Sequence, residues 1–405
     1  MSNSKLIQDM KTVIGVFFGG RSTEHEISVI SANQAMAAID GNRFDVVPVY
    51  VTKDGRWFTG DALRDVANFR DINALLQKCT QVYMRPSYGD YNLYRSKHKM
   101  FGNDVVATFD VAIPVFHGSN GEDGIFEGVL ETIGLPYAGC NTLSSANGMD
   151  KITMKMILQA NGVPVVPYIW FTDRQWESSR AELVEKVEKE LGYPVIVKPA
   201  NLGSSVGIGR AADRAQLEER VAEATQYSAR IIVEHMVDQL QEINCSVLGD
   251  CDQYETSVLE EPIKSGEILS YTDKYMGGTK GATGMQASQK RIPADLPEDV
   301  TRRIQFLAGE TFRVLSCHGV SRVDVIVDRS NGEIYVNEIN TIPGSLSFYL
   351  WEATGLSFPK LMERLVSLAL KRKRDQSYKT VSYDQNIFSL GGGVKGVKGA
   401  KGVKS

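Results

Sequence analysis

The segment RVDVIVDRSNGEIYVNEIN, residues 322–340, alternates apolar and polar residues on both sides of a central Ser-Asn-Gly tripeptide. Alternation of this kind is typical of half-buried strands, and a three-residue connection that ends in glycine is typical of a β-hairpin. We therefore predict two antiparallel strands. Their register should place Asp324 opposite Glu338 and Arg322 opposite Asn340.

Two carboxylates face each other in this predicted hairpin, on a face shared with the apolar Ile326 and Val336. Like charges directly across a ladder are destabilising, and apolar neighbours reduce their screening by water. A cation between Asp324 and Glu338 would relieve the repulsion. Mg²⁺ takes hard oxygen ligands, and Asn340 offers another on the same face. On this pattern alone, a solvated hairpin with outward-facing acids is the alternative.

The bulk composition is that of a globular protein with two or three domains, since 42% of the 405 residues are hydrophobic. A formal net charge of -4 gives no overall attraction to nucleic acid or anionic membranes. The polar residues 1–11 lack a signal-peptide core and no later run reaches about 18 apolar residues, so we predict a cytoplasmic protein. The five cysteines lack CxxC spacing, so neither disulfides nor zinc is indicated.

Periodicity divides the chain into four parts. Strand-turn-helix alternation near the N-terminus predicts an α/β domain with a parallel sheet, and the polar stretch 61–103 is interpreted as an insertion. The later parts are interpreted as α+β, and the Gly/Lys/Val-rich end cannot form a core. We predict an N-terminal α/β domain at residues 1–140 and a small central domain at residues 141–234. A C-terminal domain with the hairpin follows at residues 235–374, and a disordered tail at residues 375–405.

A glycine-serine loop at residues 199–207 could bring backbone N–H groups onto a phosphate. Lys198, at the end of the preceding predicted strand, and Lys151, at the start of a helix, would add positive charge. The chain has neither a GxxxxGK[ST] loop nor a glycine fingerprint that directly follows a strand, so the P-loop and Rossmann interpretations fail. Glu234 and Glu242 could accept hydrogen bonds from adenine and ribose.

Five motifs in this order resemble the D-alanine–D-alanine ligases, which have the ATP-grasp fold. They are GGRSTEHEIS at residues 19–28, HGSNGEDG at residues 117–124, MDK at residues 149–151, KP followed after three residues by GSSVG at residues 198–207, and the pair RVD and NEINTIPG within residues 322–344. The resemblance runs from about residue 12 to residue 370. It implies a three-domain ATP-grasp fold with an N-terminal parallel-sheet domain and with ATP between the other two domains.

The resemblance also implies the reaction. The carboxylate of one D-alanine would attack the γ-phosphate of ATP, and the amine of a second D-alanine would attack the resulting acylphosphate, giving D-alanyl-D-alanine for peptidoglycan precursors. Two Mg²⁺ or Mn²⁺ ions would be held by Asp324, Glu338 and Asn340. A homodimer is expected from the relatives.

Further roles are implied residue by residue. Glu24 would pair with the ammonium of the first substrate, and Arg322 and the Gly344 N–H would stabilise charge at the acyl centre. The expected catalytic residues are Glu24, Ser204, Tyr275, Arg322 and Gly344. The expected substrate contacts are Glu24, His117, Tyr275, Arg322, Ser345, Ser347, Tyr349 and Leu350. The expected nucleotide contacts are Lys151, Lys198, Gly203, Ser204, Ser205, Val206, Glu234, His235, Val237, Glu242 and Lys274.

The second substrate is left open by the sequence. Residues 271–275 resemble the tyrosine-bearing lid loop of peptide-forming relatives, and no histidine between His235 and His318 indicates ester formation. After Gly344 the chain departs from the commoner family pattern, because Tyr349 occupies the position of the serine that binds the second carboxylate. D-Alanine is expected there, with D-serine or another small amino acid as alternatives. A catalytically inactive nucleotide-binding regulator is the alternative of a different class.

Overall fold

Three β-sheets with helices packed on them are seen in a computed structural model, which describes residues 11–97, 102–203, 207–263 and 290–382. The first sheet has the strand order β6-β5-β4-β3-β2-β1-β7. Its strands are β1 Thr12–Gly19, β2 Phe44–Val51, β3 Trp57–Thr59, β4 Thr80–Met84, β5 Asn92–Arg95, β6 Val105–Thr108 and β7 Val111–Val115. The helices of this part are α1 His25–Ala38, α2 Ile72–Gln77 and α3 Ile125–Ile133.

The first sheet is mixed, not parallel throughout. Strand β1 pairs in parallel with β2 and β7, as strand-turn-helix alternation predicts, whereas β2 through β6 pair antiparallel. The interpretation of residues 61–103 as an insertion is therefore incomplete, because β4 and β5 lie inside this range and extend the sheet. Their side chains Val82 and Leu93 are buried in the same cluster as Phe17 of β1.

The second sheet has the order β10-β9-β11-β8 and is antiparallel in the pairs β10–β9, β9–β11 and β11–β8. It carries two helices on one side, whose apolar side chains Val184, Val187, Leu217 and Val221 pack on the strands. The elements from the chain's middle are α4 Thr142–Met149, α5 Lys151–Ala160, β8 Tyr168–Thr172, α6 Asp173–Glu190, β9 Val195–Pro199, β10 Gly209–Ala211, α7 Arg214–Ala224 and β11 Arg230–His235.

The third sheet has the order β14-β13-β12-β15-β16 and contains the predicted hairpin. One face packs on helix α8 through Ile304, Leu307 and Phe312. The other face carries Asn244, Asp324 and Arg322, and at its far end Leu248 and Val320 pack into the core shared with α10. The elements are β12 Leu240–Gly249, β13 Tyr254–Pro262, β14 Lys290–Arg291, α8 Glu298–Val314, β15 Gly319–Asp328, β16 Ile334–Asn340, α9 Phe348–Thr354 and α10 Phe358–Ser377.

The hairpin register is confirmed at the acidic end, where Asp324 pairs with Glu338 and Arg322 pairs with Asn340. It is wrong nearer the turn. A register shift after Asp324 leaves Ile326 opposite Tyr335, and Val336 instead lies in the core that packs on α8. An extra residue of this kind turns the following side chains to the other face, which alternation cannot reveal.

Helix α10 connects the third sheet to the first, because its residues Leu361, Leu365 and Val366 share a core with α1 and β7. The helix ends at Ser377, three residues beyond the predicted end of the C-terminal domain at residue 374. Residues 383–405 of the tail, and residues 264–289, which include most of the lid loop, lie outside the described residues. Among the residues that the structure describes, no helix is both long and apolar enough to span a membrane.

Candidate active site

Four polar side chains cross the third sheet in one row. Glu338 on β16 pairs with Asp324 on β15, Asp324 pairs with Asn244 on β12, and Asn244 pairs with Glu260 on β13. Neighbouring strands are about 4.8 Å apart, so the row spans about 15 Å. Strand alternation explains it, because the residues between these positions point to the α8 core. All but Asp324 are among the residues that line one cleft.

A second polar row, two residues along the strands, holds Asn340 and Arg322. The Arg322 guanidinium binds Asp324 through both carboxylate oxygens, with Nε–Oδ1 at 2.6 Å and Nη2–Oδ2 at 2.8 Å. Asn340 Nδ2 donates to Asp324 Oδ2 at 3.1 Å. Bidentate pairing fixes the plane of the guanidinium, whose other N–H groups lie at the cleft.

The predicted metal ligands form an electrostatically unfavourable set by themselves. Burial raises the pKa of Asp324, Glu338 and Glu242 raise it further, and Arg322 opposes both effects. Asp324 is only 3% exposed, so water screens it poorly. A divalent cation bound by Asp324, Glu338 and the Asn340 amide oxygen would offset the repulsion, and hard oxygen donors are what Mg²⁺ requires. The residues present therefore fit a divalent metal ion.

The predicted phosphate lysine Lys151 lies at the first turn of α5. Asp150 caps this helix by accepting from the Thr153 N–H, which fixes where the lysine side chain begins. Its ammonium donates to the Leu202 carbonyl at 2.9 Å and lies 3.5 Å from Glu338. Gly203 lines the same cleft. The predicted contacts Ser204, Ser205 and Val206, like Lys274 and Tyr275 of the lid loop, lie outside the described residues.

Lys198 and Glu234 are joined by a buried ion pair with an Nζ–Oε2 distance of 2.6 Å. A residue that the sequence did not single out, Lys155, lies on the other side of the same carboxylate at 3.0 Å. Burial alone would raise the pKa of Glu234, but the two ammonium groups outweigh it and hold that pKa at about 2. Glu234 is therefore an ionised acceptor that positions Lys198, and its side chain is not among the residues that line the cleft.

The other predicted nucleotide contacts separate into two groups. Glu242 lines the cleft, and Val237 belongs to a small apolar cluster with Val166 and Ile326. His235 is exposed, and its Nδ1 lies 3.3 Å from the Leu191 carbonyl. The structure therefore brings the His235 side chain to the outer side of the second sheet and not to the cleft, although its backbone lies in β11.

Glu24 and Glu122 lie at the N-terminal wall of the cleft. Glu122, which the sequence analysis quoted in a motif but gave no role, accepts from the Gly118 N–H at 2.7 Å and from the Ile342 N–H at 3.4 Å. Burial, and then the charge of Glu24, raise the pKa of Glu122 to about 8. Two close carboxylates in a buried wall favour a positively charged ligand group.

His117 also lines the cleft, but both of its ring nitrogens already have protein partners. Nδ1 lies 2.9 Å from the Ile342 carbonyl, which requires the proton on Nδ1, and Nε2 lies 2.9 Å from Ser31 Oγ. Ser31 in turn accepts from the Ser345 N–H at 3.0 Å. Burial lowers the pKa of His117. The histidine therefore braces the segment after Asn340 through Ser31, a residue without a sequence signal.

The segment after Gly344 forms an unusual turn, since Ser345, Leu346 and Ser347 have φ values of 52°, 52° and 50°. Left-handed conformations cost non-glycine residues about 1 kcal/mol or more each, so surrounding contacts must hold them. Gly344 lines the cleft, whereas Ser345 and Ser347 are not among its lining residues. Leu350, predicted to contact substrate, is fully buried in the protein. The turn leads directly into α9 and Tyr349.

Tyr349 lies on the far side of Arg322 from the metal ligands. Its hydroxyl donates to Glu260 Oε2 at 2.9 Å, and Asn244 Nδ2 donates to the same oxygen at 3.2 Å. Lys290 lies 3.5 Å above the Tyr349 ring. Asn244 had a signal in the alternation of polar and apolar residues along β12, whereas Glu260, beside the polar Glu261, had none.

The cleft is lined by Lys151 and by Glu338 and the buried Arg322 of the third sheet, and Arg322 binds the carboxylate of Asp324. A phosphate lysine, a magnesium-type carboxylate pair and a buried arginine together define an ATP-grasp ligase. Comparison with known proteins is consistent with this class. The models described as D-ala D-ala ligase N-terminus and D-ala D-ala ligase C-terminus match residues 13–140 and 157–367. The chain belongs to the D-alanine–D-alanine ligase family.

Individual relatives cover nearly the whole chain. The D-alanine–D-alanine ligase of Thermosipho melanesiensis is 38% identical over 380 residues, covering 94% of this chain and 99% of the relative. That of Acetivibrio thermocellus is 39% identical, with 91% and 98% covered. Among solved structures, the D-alanine-D-alanine ligase from Coxiella burnetii has a TM-score of 0.74 at 30% identity, with 91% and 96% covered. The VanG D-Ala:D-Ser ligase from Enterococcus faecalis has a TM-score of 0.75 at 29% identity, with 89% and 100% covered.

Family membership confirms the predicted ATP-grasp fold and enzyme class, and the family implies the use of ATP and a divalent metal ion. The roles of individual residues, the number of ions and the domain boundaries stay predictions.

Proposed function

We propose that the chain joins two D-alanine molecules into D-alanyl-D-alanine through an acylphosphate, consuming one ATP, for peptidoglycan precursor synthesis. The observation that carries this proposal is that Arg322, which binds both carboxylate oxygens of Asp324, lines the same cleft as Lys151, Glu24 and Glu122. The names of the relatives, D-alanine–D-alanine ligase over more than nine-tenths of the chain, support the same substrates.

The first step needs the D-alanine carboxylate to approach the γ-phosphate. Glu24, with Glu122 beside it, would bind the substrate ammonium and so direct the carboxylate towards Arg322. Lys151 and Lys198 would hold the ATP phosphates as point charges. When the carboxylate oxygen attacks the γ-phosphorus, the bond to the β-phosphate oxygen breaks and ADP leaves.

We assign the metal site to Asp324, Glu338 and Asn340, with two Mg²⁺ or Mn²⁺ ions. Bound there, the ions would neutralise the β- and γ-phosphate oxygens during transfer. Arg322 would keep Asp324 ionised and fixed in orientation, because it binds both carboxylate oxygens.

In the second step the amine of the other D-alanine attacks the acyl carbon. The Arg322 guanidinium and the Gly344 N–H would stabilise the oxyanion that develops there. His117 and Ser31 would contribute by holding the turn that follows Gly344 in place. The tetrahedral species then expels phosphate and the peptide bond forms.

A ligase that adds D-serine in the second step is the other candidate. It is favoured by Tyr349, which occupies the position of the family's second-substrate serine and whose hydroxyl donates to Glu260. The hydroxyl of D-serine could form a hydrogen bond with these two polar side chains. An inactive regulator is disfavoured, because Asp324, Glu338 and Asn340 are all present and assembled.

The use of ATP supports a cytoplasmic location, and the relatives support a homodimer, which light scattering during gel filtration would test. The proposed activity is tested by incubating the chain with ATP, Mg²⁺ and D-alanine, D-serine or L-alanine, alone and in pairs. Phosphate release and dipeptide mass are recorded. We expect D-alanyl-D-alanine from D-alanine alone. Another dipeptide without D-alanyl-D-alanine would overturn the assignment.

A further inference from the structure

The polar row of the third sheet continues past the metal ligands to a second charged group of side chains. We define the β13 subsite as Glu260, Asn244, Lys290 and Tyr349. Glu260 is buried, with an exposed fraction of 5%, and lies two strands from Asp324 in register, a separation of about 10 Å. Lys290 Nζ is 3.8 Å from Glu260 Oε1.

A buried carboxylate is unfavourable unless its oxygens are well supplied with donors. Both hydrogen bonds that the described residues give Glu260, from Tyr349 and Asn244, go to Oε2. Oε1 has the more distant Lys290 ammonium. In addition, Asn244 Oδ1 is buried and has no hydrogen-bond partner among the described residues. Two acceptor atoms are therefore left for a group that carries several N–H donors.

The charges of the cleft point to the same ligand group. Each of the two amino acids brings one ammonium and one carboxylate, so two ammonium sites are needed. Glu24 and Glu122 supply one site at the N-terminal wall, and Asp324 and Glu338 are committed to the metal ion. Glu242 is a predicted nucleotide contact, and Glu260 is the remaining carboxylate among the residues that line the cleft.

We propose that the β13 subsite receives the second amino acid, with its ammonium on Glu260 and Asn244 Oδ1 and its carboxylate on Lys290. This assignment rests on the proposed ligase function and adds residues to it. Tyr349 contributes by orienting Glu260 through its hydroxyl, so at this position the chain uses the tyrosine as a donor to a protein carboxylate.

The subsite also accounts for the proton that must leave before the amine can attack. The ammonium transfers one proton to the Glu260 carboxylate, which becomes a carboxylic acid. The nitrogen lone pair then forms the bond to the acyl carbon, and the bond from that carbon to the phosphate oxygen breaks. The second nitrogen proton passes to the departing phosphate, and Glu260 returns its proton to solvent.

Other charged groups face Glu260 from the surrounding elements. Lys290 on β14 and Arg322 on β15 are the positively charged neighbours, and the Tyr349 hydroxyl on α9 donates to the carboxylate. The negatively charged Asp324 lies farther along the row. Two cations and one phenol therefore surround the carboxylate in the ligand-free protein.

The test compares Glu260→Gln with the control Glu261→Gln in the intact chain. Glu261 is the next residue on β13, but its carboxylate accepts from Gln241 and Arg291 and is not among the cleft-lining groups. Each variant receives ATP, Mg²⁺ and D-alanine, with and without hydroxylamine. Hydroxylamine is uncharged near neutral pH and traps the acylphosphate as a hydroxamate without needing an ammonium site.

We expect Glu260→Gln to lower kcat/KM for dipeptide formation by about 100-fold or more, the usual contribution of a proton acceptor. Its hydroxamate formation should match that of Glu261→Gln, and its KM for the second amino acid should rise. Tyr349→Phe should raise the same KM less strongly. Dipeptide formation that is unchanged in Glu260→Gln, or hydroxamate and dipeptide formation that fall equally, would overturn the subsite. Absence of both products with the unaltered chain would instead overturn the ligase function.

Discussion

Replacing Lys155 by methionine removes one of the two ammonium groups that hold Glu234. The side chain of Lys155 is fully buried, and its Nζ lies 3.0 Å from Glu234 Oε1. Methionine has a similar length and no charge, so the change isolates the electrostatic contribution. Glu234 would then be paired only with Lys198, at 2.6 Å.

The structure sets the size of the effect. At 3.0 Å and an effective dielectric constant of about 20, the Lys155–Glu234 attraction is about 5 kcal/mol. Desolvation offsets much of it, and burial indeed lowers the pKa of Lys155 although Glu234 raises it. Pairing therefore outweighs burial for the pKa of Glu234, which has two cations beside it. Burial outweighs pairing for the pKa of Lys155, because a second cation, Lys198, lies nearby. Removing one partner of a buried pair typically costs about 3–5 kcal/mol, and we expect the lower end.

The pH dependence follows from the Glu234 carboxyl. Its pKa is about 2 in the folded protein against an ordinary value of 4.5, a difference worth about 3 kcal/mol. Because the folded value is the lower one, this stabilisation is complete above about pH 4.5 and is lost as the pH falls towards 2. Lys155→Met should therefore be destabilised at neutral pH and differ less from the unaltered chain in acid.

The measurement is urea unfolding followed by circular dichroism, together with the KM for ATP. Lys189→Met, an exposed change on α6, is the matched control. Since Glu234 would hold Lys198 alone, we expect the KM for ATP to rise by about tenfold, the equivalent of about 1.4 kcal/mol and less than the full value of one charge-assisted hydrogen bond.

The double variant Lys155→Met/Glu234→Gln provides the decisive comparison. Lys155→Met keeps the Lys198–Glu234 pair, whereas the double variant leaves the buried Lys198 ammonium without its carboxylate, so the double variant should be less stable than Lys155→Met alone. If it is equally stable or more stable, or if Lys155→Met unfolds at the same urea concentration as Lys189→Met, the ion-pair reasoning is refuted.

Three further predictions concern the cleft. Asp324→Asn should abolish turnover and Mg²⁺-dependent ATP binding, whereas Asp328→Asn at the exposed end of the same strand should change neither; full activity of the first variant would contradict the metal assignment. The KM for the first D-alanine should fall as the pH rises towards about 8, because Glu122 then loses its proton and a second carboxylate faces the ammonium; a flat profile in initial-rate assays would contradict this. Ser31→Ala should cost about 1–3 kcal/mol in urea unfolding and lower kcat, because the buried Ser345 N–H loses its acceptor, and unchanged stability would argue against the brace.

The sequence predicted the acidic end of the hairpin because alternation and a three-residue turn fix which side chains face each other. Asp324 pairs with Glu338 as expected, and Gly332 has the expected left-handed φ of 78°. The same reasoning failed for Val336, since one extra residue in the ladder changes the face without changing the alternating pattern. Strand β4 was missed in the supposed insertion because its polar sequence, TQVYM, has a single fully buried residue.

Other site residues could not be found from local pattern at all. Ser31 acts on a segment 314 residues away, through a hydrogen bond that only the folded chain creates. Lys155 had a usable signal, because it lies four positions after Lys151 on one helix, and residues at this spacing share a face. His117 was expected from the family resemblance to contact substrate; it lines the cleft and both of its nitrogens have protein partners, so the substrate contact stays a prediction.

The register of the third sheet places two carboxylates with different proposed roles in one row: Asp324 for the metal ion and Glu260 for the second amino acid. Arg322 reaches Asp324 because the two residues are two positions apart on β15 and so share one face of the sheet. Across the sheet, neighbouring strands lie about 4.8 Å apart, so an intervening amide separates Asp324 from Glu260. Asn244 is that amide, and being neutral it avoids a third charge between the two acids. A phosphate held near Asp324 and an amine held near Glu260 would then both lie beside the acyl centre at Arg322, where the amine adds to the face of the carbonyl and phosphate leaves from the tetrahedral species.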